Sequence, residues 1–210
     1  MSNTKNTTKQ NNKLIKILDV GSGYDSVAKQ VFTWIENKEI TRLDFDKEAK
    51  PDILHDITQP FPDELRNQFN IVYVSHILEH IEFTNVINTF RNVTGALKNM
   101  GEIWVVVPSM EWAANEIINQ REGIHVQGAI YGGQNHPLDY HRSGFTLRSL
   151  RQMVEICGLI VRKAYQSPYQ ITYKDREYQC IQNVIVAMRV DTEENSPSEA
   201  IRVDDPDTPA

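Results

Sequence analysis

The sequence predicts an α/β fold built on a largely parallel, doubly wound sheet of seven strands. Three observations carry that prediction. Leu14, Ile15, Ile17, Leu18 and Val20 form a short apolar run that stops at a glycine turn, Gly21-Ser22-Gly23, and a helical pattern follows at once. Residues 69–75 and 102–107 are further nearly continuous apolar runs, of the kind that suits strands buried on both faces. Between them Val86, Phe90, Val93 and Leu97 recur at helical spacing, so strand and helix alternate along the chain.

Taken in order, the first strand lies within residues 13–20 and ends in Asp19-Val20-Gly21-Ser22-Gly23. Gly21 and Gly23 let the chain turn sharply and leave no side chain between backbone and ligand. A helix with Val27, Val31, Trp34 and Ile35 on one face is expected next, and strand, glycine turn and helix together open a nucleotide-binding α/β unit. The third glycine of a G-x-G-x-x-G fingerprint would fall at Ser26, which counts against a pyrophosphate-binding dinucleotide site. Residues 40–46 read as a second strand ending in acids. Asp44 stands 21 residues past Gly23, where a carboxylate can accept both hydroxyls of a ribose, and Asp46 is the second choice.

Residues 51–57 read as a short third strand, with at most a vestigial helix before it, and residues 60–64 lead into a helical turn. The fourth strand, 69–75, runs into His76-Ile77-Leu78-Glu79-His80-Ile81. A helix is predicted over 84–100, closed by Asn99-Met100-Gly101. The fifth strand covers 102–107 and ends at Pro108, and 111–121 suits another helix. Residues 123–146 hold five glycines, three histidines and two tyrosines and read as a long polar loop, a usual mounting for substrate groups. Thr146 caps a helix carrying Leu147, Leu150, Met153, Val154 and Cys157, which Gly158 stops; Cys157 reads as a core thiol. Residues 159–165 and 183–190 are the sixth and seventh strands, and the tyrosine-rich 166–182 between them is expected as an irregular hairpin over the substrate opening, or an oligomer contact.

Composition bounds the partners. A chain of 210 residues, 40% hydrophobic and 24% charged, suits one soluble domain with a full core. Residues 191–210 carry seven acids and one base and so hold the whole net charge of −6; the remainder is balanced at 21 bases and 21 acids. Bulk nucleic acid is therefore not an expected partner. No apolar stretch is long enough to span a bilayer, and two cysteines without a C-x-x-C pair suit a reduced cytoplasmic setting. The expected organisation is a disordered N-terminus over 1–12, a single domain over 13–190 with substrate-side insertions at 123–146 and 166–182, and a disordered acidic tail over 191–210.

The D-x-G-x-G turn, the acids Asp44 and Asp56, FNIVYVSHILEHI over 69–81 and ALKNMGEIWVVVP over 96–108 together resemble class I S-adenosylmethionine-dependent methyltransferases, in their small-molecule, type 11-like branch. The chain departs from that pattern at Asp25, where the family often has glycine, at Asn70, where an acid is usual, and at Asn99-Met100-Gly101, which replaces Pro-Gly-Gly. The resemblance implies a Rossmann-like sheet whose last strand is antiparallel, S-adenosyl-L-methionine as cofactor and S-adenosyl-L-homocysteine as product. It places Asp19, Gly21, Ser22, Gly23, Asp44, Asp56, Ile57, Ser75 and His76 at the cofactor. Residues 131–133 and 141–146 resemble segments of bacterial methyltransferases that accompany glycan assembly, which implies a saccharide or small-molecule acceptor.

Methyl transfer from a sulfonium is an in-line displacement, so the protein's main task is alignment. A hydroxyl or cationic amine acceptor must also lose a proton, and histidine suits a base near neutral pH. His141 is the first candidate, with His80 and His136 behind it and Asp139 as a possible partner. Two other readings compete. His76-Ile77-Leu78-Glu79-His80 matches the H-x-x-E-H pattern of inverted zinc peptidases, in which His76 and His80 would share an ion from one helix face. Its place right after a buried strand and the lack of an evident third ligand argue against that, so no metal is expected. The other reading is a non-catalytic cofactor-binding partner on the same fold.

Overall fold

A computed structural model describes residues 13–191; of the expected disordered ends, 1–12 and all of 191–210 except Asp191 lie outside the described residues. Seven strands form one sheet in the order β3-β2-β1-β4-β5-β7-β6. They are β1 (Ile15–Val20), β2 (Lys38–Asp44), β3 (Ile53–Leu54), β4 (Phe69–Ser75), β5 (Leu97–Pro108), β6 (Leu159–Tyr173) and β7 (Arg176–Arg189). β1 pairs in parallel with both β2 and β4, β4 with β5, and β2 with β3, whereas β7 runs antiparallel between β5 and β6. This is the Rossmann-like arrangement with its last strand reversed.

The strands are buried on both faces, as their apolar runs require. On β4, Val72 and Val74 join one core with Val86, Phe90 and Val93, while Ile71 and Tyr73 join a second with Ala28 and Phe32. Phe69 falls into the first core because the β4–β5 register shifts between Phe69 and Ile71. Five α-helices are α1 (Ala28–Val31), α2 (Val86–Thr94), α3 (Met110–Ile118), α4 (Ile124–Tyr131) and α5 (Leu147–Ile156). Thr146 closes a capping box with Ser149 at the start of α5.

Four expectations change. The first helix is a single turn that buries Ala28, with Phe32 and Ile35 buried just past its end; Val27 and Trp34 face solvent. Phe32 sets that phase, its ring standing edge-on to Tyr73 at 5.5 Å and Trp104 at 5.4 Å. α2 ends at Thr94 rather than Met100, because Leu97, in helical phase with the apolar stripe, instead pairs with Phe69 in the sheet. Asn99-Met100-Gly101 is thus a distorted stretch of β5, with Met100 at φ +63°, and not a helix end. The polar stretch after residue 123 begins with a helix, α4, which buries Val126 and Ala129 despite its glycines. Residues 166–182 form no irregular flap: β6 and β7 stay in register to Tyr173 and Arg176.

Candidate active site

A cleft of about 620 Å³ opens beside the carboxyl ends of β1, β2 and β4. Strand order reverses between β1 and β4, and open α/β sheets take their ligands at such a switch point.

The glycine turn forms its floor. Gly21 and Gly23 have φ of +66° and +55°, in the left-handed region that side chains disfavour. The Gly21 and Ser22 amides donate to the Leu43 carbonyl at 2.8 and 3.2 Å, so the turn is tied to the end of β2. Arg42 tightens the tie by donating to the carbonyls of Gly23 and Ala49. A Cβ on Gly21 would lie 2.1 Å from Ile77 Cδ1, whereas one on Gly23 would meet nothing within 4 Å. Beneath the turn, Asp19 is 3% exposed and accepts from the Ser26 hydroxyl. Burial pushes the Asp19 carboxyl above its ordinary pKa, against the opposing hydrogen bond from Ser26. Asp19 and Ser22 shape the turn without lining the cleft. Ser22 Oγ is buried with no hydrogen-bond partner among the described residues.

Asp44 stands at the head of the cleft. Its Oδ2 accepts from the Gly23 amide at 2.8 Å and its Oδ1 from the Asp46 amide at 2.9 Å. Each carboxylate oxygen has further lone-pair capacity, so a vicinal diol can still be accepted. Asp46 lies nearby, its Oδ1 accepting from the Glu48 amide at 2.9 Å. On the opposite wall Asp56 accepts from both the amide and hydroxyl of Thr58, and Ile57 presents an apolar surface. A bare backbone shelf, a carboxylate at one end and an apolar wall fit a flat base on a ribose.

The chain leaves β4 at Ser75, which pairs with Val106 in the sheet and does not line the cleft. His76 follows at φ +54°, its amide donating to the Val106 carbonyl at 2.9 Å. Its ring lies 2.9 Å from Gln182 Oε1 through Nε2 and 3.3 Å from Glu79 through Nδ1. Burial works to lower the His76 pKa, but the hydrogen bond and charge of Glu79 outweigh it and the net shift is upward. Residues Leu78–His80 form one 3₁₀ turn. His76 and His80 are therefore not neighbours on an α-helical face, as the inverted zinc-peptidase pattern needs.

Residues 139–145 close the other side. The Arg142 and Ser143 amides donate to the Glu79 carbonyl at 2.7 and 3.0 Å. His80 lines the cleft, its Nδ1 3.3 Å from the Tyr140 carbonyl. His141 sits behind it, off the cleft wall, with the two rings 4.9 Å apart and its Nδ1 3.1 Å from the Ala129 carbonyl. Burial, with a smaller contribution from His80, lowers the His141 pKa against the pull of Glu79. His136 and Asp139 also line the cleft, and His136 Nδ1 accepts from the Leu138 amide at 3.3 Å. The structure thus brings Gly21, Gly23, Asp44, Asp56, Ile57, His76, His80 and His136 to one cleft and leaves Asp19, Ser22, Ser75 and His141 just outside it.

Arg42, Ile77 and Arg142 are contributors that the sequence reading passed over. Arg42 had a weak signal, a cation two residues before the acid Asp44 that ends its strand; Ile77 had none beyond its place after His76. No helix among the described residues is long and apolar enough to cross a membrane.

A model of the family described as "Methyltransferase domain" matches residues 2–164. No sequence among curated proteins matches the chain. Among solved structures, a Methanosarcina mazei protein of the SAM-dependent methyltransferases superposes with a TM-score of 0.58 at 13% identity, over 83% of this chain and 92% of that one. An Archaeoglobus fulgidus SAM-dependent methyltransferase gives 0.52 at 14% identity, over 85% and 87%. The 1,6-didemethyltoxoflavin-N1-methyltransferase of Burkholderia thailandensis, solved with 1,6-didemethyltoxoflavin and S-adenosylhomocysteine bound, gives 0.53 at 9% identity, over 85% and 72%. At these identities the likeness is one of fold.

Proposed function

The chain belongs to the methyltransferase-domain family, in its class I S-adenosylmethionine-dependent form, and from that premise we propose that it methylates a hydroxyl or amine of a small molecule or saccharide. The observation that carries the reading is the Asp44 carboxylate fastened to the Gly23 amide at the head of the cleft. That bond sets a ribose-accepting carboxylate and a side-chain-free shelf against each other.

In this reading Gly21, Gly23 and Asp44 hold the amino-acid and ribose parts of the cofactor, and Asp56 with Ile57 receives the base. His76, just past β4, bounds the reacting end. When bound, the cofactor would supply an activated methyl group to a lone pair of the acceptor, and the task of these residues is to hold the two in line. The acceptor lies against His80, His136, Asp139 and Arg142, and its proton leaves towards the His80 side, with His141 and Glu79 behind. His136 Nδ1 already accepts from the Leu138 amide, so that lone pair is engaged. The even charge of residues 1–190 supports a small acceptor over bulk nucleic acid.

Calorimetry with S-adenosylmethionine and S-adenosylhomocysteine tests the cofactor, and methyl-labelled cofactor with fractionated host extract tests the acceptor. Heat with both, and label in a low-molecular-mass or glycan fraction, is the expected result. No heat with either overturns the proposal. Heat without label in any fraction replaces it with a cofactor-binding partner protein.

A further inference from the structure

We propose that Glu79, His80 and His141 bind one divalent first-row transition-metal ion, zinc by ligand chemistry, behind the acceptor end of the cleft. The three side chains come from two segments more than sixty residues apart, yet each offers a donor atom so that all lie within 4.8 Å of one another. A tetrahedral edge at ordinary zinc–ligand lengths is about 3.4 Å, so side-chain rotations of roughly an ångström close the set on one ion.

Two further observations point the same way. The Glu79 side chain is 2% exposed; its Oε1 lies 3.3 Å from His76 Nδ1, and its Oε2 has no hydrogen-bond partner among the described residues. A carboxylate oxygen so far from water is costly unless a donor or cation meets it. The histidines supply the rest of the set. His80 Nδ1 faces the Tyr140 carbonyl and His141 Nδ1 the Ala129 carbonyl. A carbonyl only accepts, so each Nδ1 is the donor there and Nε2 is the nitrogen left to meet an ion. Imidazoles fixed by Nδ1–H donation to backbone carbonyls are the usual state of metal-bound histidine. Two imidazoles with one carboxylate suit zinc, and suit magnesium or calcium poorly, because those ions take oxygen.

This set differs from the H-x-x-E-H pairing of His76 with His80. His76 is turned to Gln182 and Tyr169, and His141 supplies the ligand that the local motif lacks. The role of the ion rests on the methyl-transfer reading. With His80 ligating, the acceptor's proton would pass to water in the cleft instead of to the His80 side, and an acceptor hydroxyl bound to the ion would lose it more readily. The oxygen would then form its bond to the methyl carbon as the carbon–sulfur bond breaks onto sulfur.

The test uses the full, tag-free chain stripped with chelator and titrated with cobalt(II), whose visible absorption reports nitrogen and oxygen ligation. The expected result is one equivalent per chain, displaced by zinc, with binding weakened about tenfold or more in His141→Ala and in Glu79→Gln. His125→Ala, outside the cleft and stacked on Tyr178, should bind as the wild type does. Zinc should also raise the melting temperature of the wild type and not of Glu79→Gln, which covers the case in which His141→Ala fails to fold. No saturable cobalt binding, or equal affinity in Glu79→Gln, overturns the site. Cofactor heat without metal binding sinks the site and leaves the methyl-transfer reading standing; metal binding without cofactor heat does the reverse.

Discussion

Asp44 Oδ2 accepts the Gly23 amide proton across 2.8 Å, so one carboxylate both anchors the glycine turn and faces the cleft. The two roles separate by measurement. On the proposed reading, Asp44→Ala removes two charge-assisted hydrogen bonds to the cofactor ribose, about 3 kcal/mol together, or on the order of 100-fold in affinity for S-adenosylhomocysteine. It also loosens the turn and lowers the melting temperature without ligand. Asp44→Asn keeps an acceptor for the Gly23 amide and should recover more of the melting temperature than of the affinity. Calorimetric affinity for Asp44→Ala within about threefold of wild type would remove Asp44 from the ribose site.

Gly21 and Ile77 form a second coupled pair. Gly21→Ala places a methyl 2.1 Å from Ile77 Cδ1 and forces alanine to φ +66°. The left-handed backbone alone costs about 1–2 kcal/mol, and the clash adds to it. In the double variant with Ile77→Ala the clash is gone and the backbone cost stays. Urea unfolding should therefore show a double variant less damaged than the two single losses predict, by about 0.5–3 kcal/mol. Strict additivity would mean that Ile77 does not sit on the glycine turn.

Asp19 gives a pH signature. Burial holds its folded-state pKa above the ordinary 3.8, so the folded protein binds this proton more tightly than the unfolded chain. Its favourable contribution is present below the unfolded value and is lost as pH rises through the folded one. Near neutral pH the ionised, buried carboxylate weighs against folding. Asp19→Asn, which can still bond to Ser26, should melt higher than wild type at about pH 7, and the gap should narrow towards about pH 4. A gap that is constant or widens on acidification contradicts the burial argument.

Much of the fold was legible because its strands are unambiguous. Residues 15–20, 69–75 and 102–107 are short, nearly continuous apolar runs, and for the first and last a glycine or proline bound leaves few other fates. The glycine turn and Asp44 were legible for the same reason: backbone freedom and acid spacing are local properties. Leu97 was misread because its spacing from Val93 suits a helix as well as the pairing with Phe69 that it makes. α4 was hidden by Gly128 within it, which lowers helix propensity, although Val126 and Ala129 bury against the body. The Glu79, His80 and His141 cluster was only half visible. His141 reaches it through tertiary hydrogen bonds to Tyr131 and Ala129, which no spacing rule encodes. The hairpin between β6 and β7 was legible but its regular pairing to the tip was not, because its turn lacks the asparagine–glycine signal.

That turn supports the last prediction. Tyr173 pairs with Arg176, so Lys174 and Asp175 alone make the connection, and both are left-handed, at φ +46° and +61°. Two consecutive left-handed residues define the hairpin turn whose twist matches the strands, and glycine is the favoured second residue. Asp175→Gly relieves a backbone cost of about 1–2 kcal/mol and gives back part of it as unfolded-chain entropy, leaving a gain of about 0.5–1 kcal/mol. Because the tip lies at the end of the two longest strands, the gain should appear first as slower amide exchange at Tyr173 and Arg176, and only weakly in the global melting temperature. Asp175→Pro, which fixes φ near −65°, should do the opposite and speed exchange along the tip. Faster exchange in Asp175→Gly, or none of the expected loss in Asp175→Pro, would show that the strands do not continue to Tyr173 and Arg176 in solution.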